Sequence, residues 1–180
     1  MAGDAPVAAL ARHVHVDPDF RGNRSPLADP CRAGAIVGLT TDDGVDALAV
    51  LYLATLQALC YQTRHIVDAL EAAGHPPIQE VVITGGLGKN PLFVRTVADA
   101  LGVRVALPAE DEAVLLGSAV LGACSAGEYP NLEAAMAAMT RYGSSIAPDP
   151  ALKAFHDAKY SCFRKLSALQ TELWETMGRV

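Results

Sequence analysis

The chain has 180 residues, 51% of them apolar, and 14 Lys and Arg against 20 Asp and Glu give a formal charge of −6. So much apolar surface excludes a disordered chain and supplies a sizeable core, while the acidic balance argues against nucleic acid as the main partner. Cys31, Cys60, Cys124 and Cys162 stand far apart with no C-x-x-C pair, and the histidines include no H-E-x-x-H spacing. The cysteines therefore read as small buried hydrophobes in a reducing compartment, and a zinc site is not expected.

The first ten residues carry Asp4 where a secretory signal has a basic region, so none is read there, and residues 1–12 are expected to be a poorly ordered leader. The longest apolar stretches keep helical periodicity and are broken by charges, so no membrane span is expected and the default location is cytoplasmic. Residues 13–16 alternate in strand fashion. Residues 17–30 gather Pro18, Gly22, Asn23, Pro26, Asp29 and Pro30, which predicts an extended surface segment, and 35–39 read as another short strand. From Asp42 or Asp43 a helical pattern runs to about Ala73 through Leu48, Leu51, Leu56, Leu59, Ile66, Val67 and Leu70. An aspartate cap stands at its start, and Gly74, Pro76 and Pro77 stop it.

The centre of the chain is Val81-Val82-Ile83-Thr84-Gly85-Gly86-Leu87-Gly88-Lys89-Asn90-Pro91. The β-branched run predicts a strand over 80–84 buried on both faces, as in a parallel sheet. The glycines permit backbone conformations closed to other residues and let a ligand approach the main chain. Asn90 is suited to N-cap a helix over 91–101 with Pro91 at its first position, Phe93, Val94, Val97, Ala98 and Leu101 on its apolar face, and Gly102 at its end. A strand over 103–107 follows, closed by Pro108. Glu110, Asp111 and Glu112 then set acid at the start of a helix reaching about Ala126. Alternating strands and helices predict an α/β fold with right-handed parallel crossovers. In the tail, Asn131 can cap a helix to about Arg141, 143–150 read as a turn-rich link, and a last helix covers about 151–177.

Three groups of residues are candidates for chemistry. The glycine turn fits neither G-x-x-x-x-G-K-[ST] nor G-x-G-x-x-G, since Ile83 replaces the first glycine of one and Pro91 the last of the other. Two readings of it stand: backbone contact with a nucleotide assisted by the Asn90 side chain, or a tight turn that Asn90 merely caps. The small residues of the 112–126 helix read mainly as helix packing. Gly117 is the exception, because an interior helical glycine costs about 1 kcal/mol and so calls for a reason. The segment from Asp19 to Pro26, with Arg21 and Arg24 around Gly22, reads first as a solvated loop and second as a polar ligand or domain contact.

Together, 84–93 (TGGLGKNPLF) and 112–119 (EAVLLGSA) resemble the C-terminal domain of the FGGY carbohydrate kinases, members of the actin-like ATPase superfamily with a ribonuclease H-like fold. The run from Asp19 to Asp29 is similar to the ribulokinase branch. The resemblance covers about residues 14 to 175 and implies that 13–180 form this C-terminal lobe with a helical tail. It implies further an ATP-dependent carbohydrate kinase acting on a pentulose such as D-ribulose, with ATP and Mg²⁺ as cofactors and no nucleic acid or membrane partner. By the same resemblance, Gly86 and Asn90 contact the adenosine with Gly85 as turn partner, and Glu112 and Gly117 are secondary candidates. No catalytic or metal-binding residue is carried over. In the family the sugar site, the catalytic aspartate, a phosphate loop and most of the Mg²⁺ environment belong to a preceding domain. The chain is therefore expected to be a C-terminal piece with little kinase activity by itself, or a non-catalytic nucleotide-binding or interaction fragment, and missing core strands are expected to leave an open sheet edge.

Overall fold

A computed structural model describes residues 6–178. The longest element, α1 (Val45–Ala72), is a 28-residue helix. A two-stranded antiparallel ribbon, β1 (His15–Asp17) and β2 (Ala35–Val37), lies against it and pairs Val16 with Ile36. The second sheet has the order β3-β4-β5, formed by Glu80–Val82, Arg104–Pro108 and Tyr142–Ile146. β3 and β4 are parallel, joined by α2 (Pro91–Leu101) and matched at Val81 and Val105. β5 runs antiparallel to β4, with a register irregularity between Ala106 and Pro108. Three more helices complete the fold: α3 (Ala113–Ser125), α4 (Leu132–Met139) and α5 (Lys153–Met177).

The main core lies where α1, α2 and α5 meet the sheet, through Leu56, Cys60, Tyr61, Phe93, Val94, Val97, Val105, Tyr160 and Phe163. The ends of α2 are set by its own sequence: Asn90 caps it, Pro91 opens it and Gly102 closes it. By length and composition α1 is apolar enough to cross a membrane, yet its middle is covered, with Leu53, Ala54, Leu56, Gln57, Ala58, Cys60, Tyr61 and His65 all buried.

Several expectations need correction. The predicted leader is in part a folded element. Residues 1–5 lie outside the described residues, but Val7–Ala11 forms a short 3-10 helix with Ala9 and Ala11 buried. The Gln57 amide donates to the Ala8 carbonyl at 2.9 Å, and the buried Lys159 ammonium donates to the carbonyls of Ala11 and Val14, each at 2.7 Å. α1 begins at Val45 with Gly44 in the N-cap position and no side-chain cap, and Asp42 accepts from the Gly44 N–H at 3.0 Å. β3 is not buried on both faces: it is an edge strand, and Val82 is exposed. The first half of the predicted link over 143–150 belongs to β5, which runs from Tyr142 to Ile146. Of the cysteines only Cys60 is buried, while Cys31 and Cys162 are exposed.

The largest departure is the segment after β1. Composition made it a solvated loop, and Arg21, Arg24, Ser25 and Asp29 are exposed as that reading expects, but the segment is anchored by interior polar groups. Asp17, Asp19, Asn23 and Arg32 are all buried. Arg32 donates to Asp19 at 2.8 Å and Asp17 at 3.1 Å, and its other N–H groups reach Ser167 Oγ at 2.7 Å and Thr171 Oγ1 at 2.6 Å on α5. Asp19 also accepts from the amides of Asn23 at 2.9 Å and Gln62 at 2.7 Å. Burial, then the neighbouring Asp19 charge, raise the pKa of Asp17, and Arg32 opposes them. A loop too polar to pack on apolar surface is thus held by satisfied charge-assisted hydrogen bonds.

A candidate nucleotide site at the glycine turn

β3 ends at Val82, and the chain turns through Ile83, Thr84 and Gly85 into a 3-10 helix, Gly86–Lys89, before α2 begins. Gly85 has φ 81° and ψ −168°. That combination belongs essentially to glycine, since a β-carbon there would strain the backbone by about 1–3 kcal/mol. A side chain at Gly85 or Gly86 would meet nothing within 4 Å, so main chain lies bare along this part of the turn.

On one side the turn borders an open cleft of about 300 Å³. Thr84, Gly85, Gly88 and Lys89 form one wall, and the β4–α3 connection through Pro108, Glu110 and Asp111 forms the other. Gly143 and Ser144 of β5 close the base. A side chain at Gly143 would press within 2.9 Å of the Pro108 carbonyl oxygen, so glycine lets β5 approach this closely. Lys89 and Asp111 face each other across the mouth at 3.7 Å, both largely exposed.

Asn90 faces another way. Its Oδ1 accepts from the N–H groups of Leu92 at 3.0 Å and Phe93 at 3.3 Å, and its Nδ2 donates to the Tyr52 hydroxyl at 2.9 Å. The capping reading is therefore realised in full. It leaves the second Nδ2 hydrogen available, because an amide nitrogen carries two.

Of the five candidates, Gly85 lines the cleft, while Gly86 follows it in the same turn and Asn90 ends that turn. Glu112 stands at the start of α3 without capping it by its side chain, and its N–H bonds Glu110 at 3.4 Å. Gly117 is exposed on α3, and a side chain there would meet nothing within 4 Å, so close packing is not its reason. The turn thus brings Gly85, Gly86 and Asn90 together, and neither Glu112 nor Gly117 lines the cleft beside it. Two participants had no local signal: the β5 residues at the base of the cleft, and Tyr52, which lies 38 positions before Asn90.

The family model for the FGGY family of carbohydrate kinases, C-terminal domain, matches residues 2–126, beginning ahead of the expected boundary at residue 13. The chain belongs to the FGGY family. An FGGY carbohydrate kinase domain-containing protein of Xenopus laevis is 49% identical over 97% of this chain, which spans 32% of that relative. A D-ribulokinase of Saccharomyces cerevisiae is 37% identical over 68% of the chain and 17% of its own length. The crystal structure of the xylulose kinase from Rhodospirillum rubrum superposes with a TM-score of 0.75 at 26% identity, covering 96% of this chain and 33% of that one. The fold is accordingly that of the FGGY sugar kinases, an actin-like ATPase α/β arrangement with a C-terminal helix. The chain spans about a third of the Xenopus relative's length.

Proposed function

We propose that this chain is the adenosine-binding lobe of an ATP-dependent carbohydrate kinase acting on a pentulose such as D-ribulose. The observation that carries the reading is the glycine turn: bare main chain at Gly85 and Gly86, followed by a capping Asn90 with an unused amide hydrogen. An adenosine needs a close-approaching backbone and a few directed polar groups, and the turn offers both. Phosphoryl transfer itself depends mainly on positioning and charge stabilisation around the γ-phosphate. In this reading the chain orients the nucleotide's base end, and closure against the rest of the kinase excludes water from the sugar hydroxyl. Mg²⁺ accompanies ATP in the expected reaction. Among the described residues no three His, Cys, Asp or Glu side chains gather to hold a metal ion, so no step is assigned to one.

The pentulose part is supported by the yeast D-ribulokinase match and by the Asp19–Asp29 run. Calorimetry with ATP and ADP tests the lobe: saturable binding is expected, and its absence removes the reading. ADP release by the chain alone with D-ribulose should be negligible, and robust turnover would contradict the division of labour. Joined to the N-terminal region of the Xenopus relative, which would carry the sugar site, the chain should support ADP release with D-ribulose. A chimera that releases none would remove the pentulose assignment.

A further inference from the structure

We infer that Tyr52 is a positioning residue of the adenosine site, its hydroxyl holding the Asn90 carboxamide in the orientation that presents a donor to the ligand. The inference rests on the adenosine reading above. A carboxamide turned by 180° exchanges its oxygen and nitrogen, so it needs partners at both ends to display one face. At one end the N–H groups of Leu92 and Phe93 require the oxygen, and at the other the Tyr52 Oη, 2.9 Å away, takes a hydrogen from the nitrogen. The second Nδ2 hydrogen stays free, and Tyr52, having accepted, still has its own O–H to give. The pair displays two donors, which suit single acceptors of an adenosine, its ring nitrogens and ribose oxygens.

Core packing does not call for a tyrosine here. Tyr52 is 53% exposed, in line with Leu48 and Val45 on the uncovered face of α1, whereas Tyr61 further along the same helix is 2% exposed in the core. Its side chain is tied to the rest of the fold through its hydroxyl bond to the start of α2. That bond spans two helices whose packing is set by buried residues elsewhere, so the helices stay in place without it.

The test is Tyr52→Phe in the full chain, which removes one oxygen and keeps the ring. ATP affinity by calorimetry should weaken about three- to tenfold, the worth of one hydrogen bond, while Tm moves by less than about 2 °C. The side-chain amide resonances of Asn90 in a ¹⁵N–¹H spectrum should shift toward those of a solvent-exposed amide. Unchanged affinity, or unmoved Asn90 resonances, overturns the inference and leaves the adenosine reading standing. A weaker affinity accompanied by a larger fall in Tm makes Tyr52 a scaffold residue and also overturns it. If the unsubstituted chain binds no ATP, the adenosine reading itself falls and this inference falls with it.

Discussion

Asn90 performs two jobs that substitution can pull apart. Its Oδ1 accepts from Leu92 and Phe93 at the start of α2, while its Nδ2 faces Tyr52 and solvent. Asn90→Ala removes both. Losing an N-cap costs about 1 kcal/mol, and in a domain of this size each kcal/mol lowers Tm by about 2–4 °C. Asn90→Asp restores the acceptor and sets a negative charge at the positive end of the helix, which contributes about 0.3–1 kcal/mol. Tyr52 can turn its own proton toward the new carboxylate, so that contact survives with its direction reversed. The aspartate variant should therefore unfold at or above the wild-type Tm. What it lacks is any donor, and it brings a charge to the face where the adenosine would lie. ATP affinity should fall at least about tenfold, since an unmatched polar group at a binding face costs more than the bond itself contributes. Thermal unfolding and calorimetry on the same preparations decide the matter. An aspartate variant that binds ATP like wild type would refute the contact, and one as unstable as the alanine variant would refute the cap.

Other outcomes follow from the same geometry. Arg32→Met strands Asp17 and Asp19 in the interior and should cost about 3–5 kcal/mol in urea unfolding, partly recovered by adding Asp19→Asn; a loss below about 1 kcal/mol would mean the charges are not interdependent. Gly117→Ala enters open space on a helix and should stabilise by about 1 kcal/mol, so a simultaneous loss of ATP affinity would make Gly117 a ligand contact after all. His156 is buried against the Tyr61 hydroxyl at 2.9 Å, and burial, then the Arg64 charge, push its pKa down to about 4. The unfolded chain binds that proton near the ordinary 6.5, so stability should fall as pH drops from 6.5 to 4, by up to about 1.4 kcal/mol per unit. His15 and His65, also lowered chiefly by burial, add to the slope, whereas the raised carboxyls of Asp17 and Asp99 act against it at the acid end. Urea titrations at pH 7, 6 and 5 measure it, and His156→Gln should flatten the profile.

How much could be read from the residues depended on how far apart the interacting groups are. α2 was legible to the residue, because Asn90, Pro91 and Gly102 act on backbone groups within a turn of themselves. The special conformation at Gly85 was legible for the same reason, whereas the strand before it was placed but read as buried on both faces to 84, and β3 is an edge strand ending at Val82. β5 was not. Tyr142–Ile146 is short, polar and mostly exposed, and it is a strand only because the edge of β4 offers it hydrogen bonds. The leader was misread because its anchors, Gln57 and Lys159, lie 49 and 148 residues away from the carbonyls they hold.

The candidate site divides along the same line. The sequence by itself determined the turn, its glycines, the capping role of Asn90 and the family to which the pattern belongs. Only the tertiary structure decided that Tyr52 completes the Asn90 carboxamide, that β5 floors the neighbouring cleft, and that Gly117 stands in the open. It also showed that the largely exposed Asp19 segment is anchored by a buried polar knot closed by α5, with Arg32 reaching Ser167 across 135 positions. The physical reason is common to all of these. A capping bond or a glycine conformation is a property of neighbours along the chain, whereas burial and the pairing of a buried charge depend on which distant element arrives to complete them.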